Sequence, residues 1–197
     1  AYRIHRKAGS REARERSLAM LEQVQIREPA RVYDLYPHEV SGGMGQRVMI
    51  AMMLIGEPDV LIADEPTSAL DVTVQAQILD ILDQLVTERG MGLIFISHDL
   101  PLVSAFCDRV IVMYAGRKVE EATVEALFEH PLHPYTRGLM ASIPRLGLMR
   151  GEAADTTRLQ EIPGIVPPLY QLPAGCTFAP RCARADERCR SEFPPYE

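Results

Sequence analysis

An α/β fold built around a parallel sheet is what this sequence predicts, and three observations predict it. Two short apolar runs, Val60-Leu61-Ile62-Ala63 and Leu93-Ile94-Phe95-Ile96, are bounded by turn formers and suit buried parallel strands. Between them Val74, Ile78, Ile81, Leu82 and Leu85 recur at helical spacing. A third run, Arg109–Tyr114, follows a further short helical stretch, so strands and helices alternate as a sheet with covering helices requires.

Taken in order, residues 1–9 are basic and open in character. Ser10 is placed to cap a helix over residues 11–25, with Glu12 and Arg16 at the favourable i,i+4 spacing. Met20, Leu21 and Val24 form its apolar side, and Glu28-Pro29-Ala30 interrupts it. After Ser41-Gly42-Gly43, residues 48–55 are apolar nearly all round, which predicts a helix buried on every side. Gly56-Glu57-Pro58 ends that helix, and Pro66 stops the first strand.

Asp71 is positioned to cap the striped helix and Gly90 to close it. Leu100–Phe106 reads as a short helix leading into the third strand. Ala115-Gly116 predicts a turn that joins this strand to residues 117–120 as a hairpin. Thr123 caps a short helix through Phe128, and His133 with Pro134 at the first helical position starts another that runs to about Ile143. From Pro144 proline becomes frequent and periodicity fades, so a loop-rich appendage is expected.

Composition narrows the function. The 197 residues carry a net charge of −6, which gives no support for nucleic-acid binding. No apolar run is long enough to cross a bilayer, and residues 1–7 lack the apolar core of a secretory signal. A cytosolic setting is the default, and the absence of an initiator Met fits an excised or processed chain. Of the four cysteines, Cys107 adjoins an apolar run and is expected to be a small buried hydrophobe.

Three short stretches carry chemistry. A helix that begins at Ser41-Gly42-Gly43 is an anion site, because its first N–H groups lack intrahelical partners and carry the positive end of the dipole. Such a triplet alone is most often a plain loop. Asp64 and Glu65 end the first strand, where ligands bind in open α/β sheets. One carboxylate there can hold Mg²⁺ and its neighbour can polarise an attacking water. Alone, the pair is an acidic strand-to-loop turn. His98 follows the second strand at the same sheet edge, where its imidazole can donate to a phosphoryl oxygen. Ser97-His98-Asp99 is not a hydrolase triad, since adjacent side chains cannot relay to one another.

In order and spacing, Ser41-Gly42-Gly43-Met44-Gly45-Gln46-Arg47, Val60-Leu61-Ile62-Ala63-Asp64-Glu65-Pro66 and Ile96-Ser97-His98-Asp99 resemble the signature loop, Walker B strand and switch histidine of ATP-binding-cassette ATPases. The resemblance implies that Ser41, Gly42 and Gly43 contact the γ-phosphate of ATP held by an opposite subunit. Met44 and Gln46 of the same loop, with Asp71 of the D-loop-like Ser68-Ala69-Leu70-Asp71, complete the implied ATP-binding set. Asp64 would orient Mg²⁺, Glu65 would be the general base and His98 would sense the γ-phosphate. Val40, Met44 and Gly45 depart from the commonest signature residues, and the glycine lowers local helix propensity.

Within that family the chain is similar to the oligopeptide/dipeptide importers. The pointers are Gln46-Arg47-Val48-Met49-Ile50-Ala51-Met52, Val112-Met113-Tyr114-Ala115-Gly116, His130-Pro131-Leu132-His133-Pro134-Tyr135-Thr136 and the tail around Pro163-Gly164-Ile165-Val166-Pro167 and Gly175 to Cys182. The resemblance runs from about Arg14 to the end. It implies a partial P-loop NTPase fold in three parts: residues 1–57 in the helical signature subdomain, 58–122 in the ATPase core, 123–197 in the C-terminal extension. It also implies a peripheral subunit at the cytoplasmic face of the membrane that energises uptake of peptides or related small solutes. The implied partners are a second ATPase subunit, identical or not, two transmembrane permease subunits and, indirectly, an extracytoplasmic solute-binding protein. Nucleic acid is not among them.

Some family members hold an iron–sulfur cluster on four tail cysteines. Only Cys176, Cys182 and Cys189 are present here, so reduced, unligated thiols are expected, with a cluster in a longer parent as the alternative. No G-x-x-x-x-G-K-[ST] loop occurs, and its place would precede residue 1. The chain alone is therefore expected to bind ATP weakly, to hydrolyse none and to expose strand edges and apolar faces. Two other readings stand beside an importer ATPase. One is a truncated, non-catalytic module that docks on a full-length ATPase or permease; the other is a soluble cassette ATPase of DNA repair or translation.

Overall fold

The computed structural model describes residues 2–68, 70–143 and 161–194. The chain divides into two compact units, Ala1–His98 and Asp99–Glu197.

The first unit opens with α1 (Tyr2–Arg6), so the basic start is helical rather than open. It is tied by the Tyr2 hydroxyl donating to Glu12 (3.3 Å) and by Arg6 donating to Gly56 O and Glu57, both at 3.1 Å. In α2 (Ser10–Gln23) Gly9, not Ser10, is the N-cap, and Ser10 is the first helical residue. The ion pair on this helix is Arg11–Glu15 (3.0 Å) instead of Glu12–Arg16, because Glu12 accepts from Tyr2. The helix stops short of residue 25, since Gln25 has φ 60°. Pro29 does more than interrupt: it occupies the first turn of a new helix, α3 (Pro29–Tyr33).

In α4 (Gly42–Leu54) Ile50, Ala51 and Leu54 are buried, but Met49 and Met52 are exposed. The expected all-round burial is therefore wrong. Packing against α2 and α5 (Val72–Arg89) covers only part of the helix. Strands β1 (Val60–Asp64) and β2 (Gly92–Ile96) pair in parallel, with Ile62 opposite Ile94 and Asp64 opposite Ile96. Leu61 and Ala63 are buried on one face, while Val60, Ile62, Ile94 and Ile96 lie exposed on the other. Asp71 caps α5 by accepting from Thr73 N (3.1 Å) and Val74 N (3.0 Å). The apolar stripe of α5 is buried at Ile78, Ile81, Leu82 and Leu85, as its spacing predicts.

The second unit contains α6 (Leu100–Phe106), β3 (Arg109–Tyr114), β4 (Arg117–Thr123), α7 (Val124–Glu129) and α8 (Pro134–Ala141). The third strand does not extend the parallel sheet. It pairs antiparallel with β4 in a separate two-stranded sheet. Local turn geometry accounts for this: Ala115 and Gly116 both have positive φ (48° and 76°), the conformation of a tight hairpin turn. The expected capping by Thr123 and His133 is present, each accepting a backbone N–H from the first turn of its helix.

In the tail, residues 161–194 form short 3₁₀ turns and one short helix, α9 (Glu187–Ser191). They pack around Phe178, whose ring lies 5.1 Å from Tyr114 and 5.5 Å from Tyr135. Arg181 fastens this core by donating to Ile162 O (2.8 Å), Pro163 O (2.7 Å) and the Tyr114 hydroxyl (3.2 Å). Cys107 is half-buried, and burial followed by the charge of Asp108 pushes its thiol pKa up. Among the described residues no helix is long and apolar enough to cross a membrane.

Candidate active site

The parallel pairing of β1 and β2 brings their C-terminal ends side by side. Asp64 is the last residue of β1 and lies on its exposed face. Glu65 then turns the chain: its N–H still donates to Ile96 O (2.9 Å), but its own φ is 49°. A non-glycine residue held in the left-handed region stores on the order of 1–3 kcal/mol and persists only where surroundings enforce it. Ser68 donates to Glu65 O through both its hydroxyl (3.0 Å) and its N–H (3.2 Å), and Pro66 and Thr67 are buried.

This corner delivers the Glu65 carboxylate to His98. Glu65 Oε1 lies 2.6 Å from His98 Nδ1. An ionised carboxylate requires Nδ1 to be the protonated nitrogen, so the imidazole donates to Glu65. The His98 side chain is 83% exposed and that of Glu65 36%, which leaves the pair open to a ligand and to water.

The helix start at Ser41 forms as expected. Ser41 is the N-cap of α4, and its hydroxyl oxygen accepts from Met44 N at 3.4 Å. Gly42 and Gly43 occupy the first turn, where backbone N–H groups have no intrahelical acceptor. Gly43 is required by packing as well: a Cβ there would stand 2.8 Å from Val74 Cγ1 at the start of α5. Three other residues of the expected nucleotide-binding set have internal engagements. The Met44 N–H serves the cap, Asp71 caps α5, and the Gln46 side chain donates to Pro66 O.

Two positioning residues carry no sequence signal of their role. Arg47 anchors α4 by donating to Val24 O (3.1 Å), Gln25 O (3.2 Å) and Gln77 Oε1 (2.8 Å). In the second unit the buried Glu120 carboxylate accepts from Leu132 N (2.7 Å) and His133 N (3.0 Å). The acceptors of Arg47 are backbone carbonyls and a distant glutamine, and the donors to Glu120 are backbone amides. No residue spacing encodes either arrangement.

The donor chemistry at the end of β1 fits a magnesium ion. Mg²⁺ is usually held by one or two carboxylates together with water and substrate phosphates, and the exposed Asp64 at a strand end supplies such an oxygen. Among the described residues no group of three or more His, Cys, Asp or Glu side chains is placed to hold a metal. Cys176, Cys182 and Cys189 are free thiols that pack into or against the small core around Phe178.

Comparison with known proteins bears on the family of the chain. The family model described as ABC transporter matches residues 2–68, and that described as oligopeptide/dipeptide transporter, C-terminal region, matches residues 119–189. A protein of Brucella melitensis named as a peptide import ATP-binding protein is 51% identical over 193 residues, covering 98% of this chain and 57% of its own length. A Brucella abortus protein with the same description is 51% identical over 192 residues, covering 98% of this chain and 56% of its own length. The chain thus spans somewhat over half the length of these curated relatives.

Solved structures give the same answer. The dimeric ATP-binding cassette MJ0796, in a post-hydrolysis state bound to ADP and Pi, matches with a TM-score of 0.52 and 32% identity over 59% of this chain and 49% of its own. The cbiO1 protein of Clostridium perfringens, described as part of the ABC transporter complex cbiONQ, matches with a TM-score of 0.54 and 33% identity over 62% of this chain and 48% of its own. By these matches the chain belongs to the ATP-binding-cassette transporter family, in its oligopeptide/dipeptide branch.

Proposed function

We propose that this chain supplies catalytic and signature elements of an ATPase subunit that energises import of peptides or related small solutes. The observation that carries the reading is the Glu65–His98 hydrogen bond of 2.6 Å at the C-terminal edge of a parallel strand pair. In this reading Glu65 takes the proton of the water that attacks the γ-phosphorus of ATP. His98 orients the Glu65 carboxylate by donating Nδ1–H, and with a proton on both ring nitrogens it donates Nε2–H to the γ-phosphate. Asp64 would hold Mg²⁺, directly or through water, and the ion neutralises charge on the phosphates. Ser41, Gly42 and Gly43 present unpaired N–H groups and a hydroxyl to the γ-phosphate of ATP held by a second ATPase subunit. Closure of the two subunits on ATP then drives a pair of permease subunits at the cytoplasmic face of the membrane. The printed names of the relatives favour peptides as the class of solute.

Glu65→Gln in the assembled ATPase that carries this chain tests the reading. The amide keeps the size and the hydrogen bond to His98 but cannot accept the proton. Steady-state phosphate release should fall by about a hundredfold or more while ATP binding persists. Undiminished turnover in the variant would remove Glu65 from the chemistry.

A further inference from the structure

The signature helix and the catalytic corner are joined inside one chain by a bond that neither motif requires. The Gln46 side-chain amide, one turn into α4, donates to the carbonyl of Pro66, the residue that follows Glu65. Three packing contacts lie beside it. A Cβ at Gly43 would stand 2.8 Å from Val74, a Cβ at Gly42 would lie 3.8 Å from Leu70, and Arg47 bonds Gln77 at 2.8 Å. The start of α4 is therefore held against Pro66, Leu70, Val74 and Gln77. Next to Pro66 sits the strained Glu65, whose backbone angle depends on how the 65–68 turn is held.

Resting on the two-subunit reading above, this geometry has a consequence. In such a sandwich Ser41-Gly42-Gly43 of one subunit faces one ATP, while Glu65 of that subunit faces the other. A link between them inside one chain connects the two ATP sites. We infer that Gln46 is a positioning residue that transmits engagement of the signature helix at one ATP to the orientation of Glu65 at the other. Gln46 itself touches no nucleotide. A small movement of α4 on meeting a phosphate pulls on the Pro66 carbonyl and turns the Glu65 peptide with it.

The test compares ATP hydrolysis by the assembled ATPase carrying wild-type chain, Gln46→Met, Gln46→Glu and Gln46→Lys. Methionine keeps the length and loses the donor, glutamate sets a carboxylate against the carbonyl, and lysine keeps a donor. The Met and Glu variants should lose about five- to tenfold in kcat with KM for ATP nearly unchanged. Their Hill coefficient for ATP should fall toward one, and Gln46→Lys should recover both. Wild-type kcat and Hill coefficient in Gln46→Met would overturn the proposal. So would a loss that tracks a lowered melting temperature and is not recovered by lysine, since that describes a structural bond only. Failure of the ATPase reading itself is distinguishable, because Glu65→Gln would then leave turnover intact in every background.

Discussion

The two units use polar groups in opposite ways. In residues 1–98 the informative groups are exposed and aimed outward: Glu65 on a strained corner, His98 beside it, and free N–H groups at the start of α4. In residues 99–197 they are turned inward. Glu120 is buried on two backbone N–H groups, His133 caps α8 while packing on Phe178, and Arg181 closes over Tyr114. The contrast teaches that His130-Pro131-Leu132-His133-Pro134-Tyr135-Thr136 is an architectural motif. Its histidine and tyrosine build the seat on which the cysteine-bearing tail rests.

The sharpest way to break that division is at Phe178, which is 3% exposed among Tyr114, His133, Tyr135 and cysteines. Phe178→Ala should destabilise the second unit by roughly 3–5 kcal/mol, read as lost hydrogen-exchange protection in β3, β4 and α8. Protection of β1, β2 and α5 should change little. Equal loss in both units would mean that they do not fold as separate bodies.

A smaller effect is expected at Asp71, whose carboxylate satisfies two N–H groups of α5. Asp71→Ala should lower stability of the first unit by about 1 kcal/mol in denaturant melts, and Asp71→Asn should recover most of it. If asparagine fails to recover stability, the carboxylate has a task beyond capping.

The smallest effect is a pH dependence in the second unit. Burial holds the His133 pKa below its usual value, with the Glu120 charge opposing, and its Nδ1 accepts the Tyr135 N–H. The unfolded chain therefore takes up this proton more readily than the folded one. Stability is full above the ordinary histidine value of about 6.5 and is lost as pH falls through the lowered folded value. Protection of the α8 amides, relative to intrinsic exchange at each pH, should fall on acidification across that window, and His133→Asn, which caps without titrating, should flatten the change. An unaltered slope in the variant would assign the effect to another group.

What the sequence disclosed tracks the range of the interaction. Asp71, Thr123 and His133 are legible because a cap involves a side chain and a backbone group a few residues on. The 115–116 turn is legible for the same reason. The parallel pairing of β1 and β2 follows from two apolar runs separated by a striped helix. Burial of α4 was overread, because composition does not say how many neighbours a helix has, and Met49 and Met52 face none that covers them. The β3 run has the same character in a parallel sheet or a hairpin, and only the turn after it decides. Residue types and spacing put Glu65 and His98 at one edge of the sheet, but do not say that they touch across 33 residues. The Gln46–Pro66 bond was illegible too, since a backbone acceptor leaves no mark on sequence.

The central claim is that Glu65 of this chain activates water on ATP. It is tested most directly by measuring phosphate release from an assembly in which the partner ATPase subunit has lost its own base and this chain supplies the only one. Turnover should persist with the wild-type chain and vanish with Glu65→Gln at unchanged ATP occupancy. Turnover that survives the substitution, or that is absent with the wild-type chain at full ATP occupancy, contradicts the account.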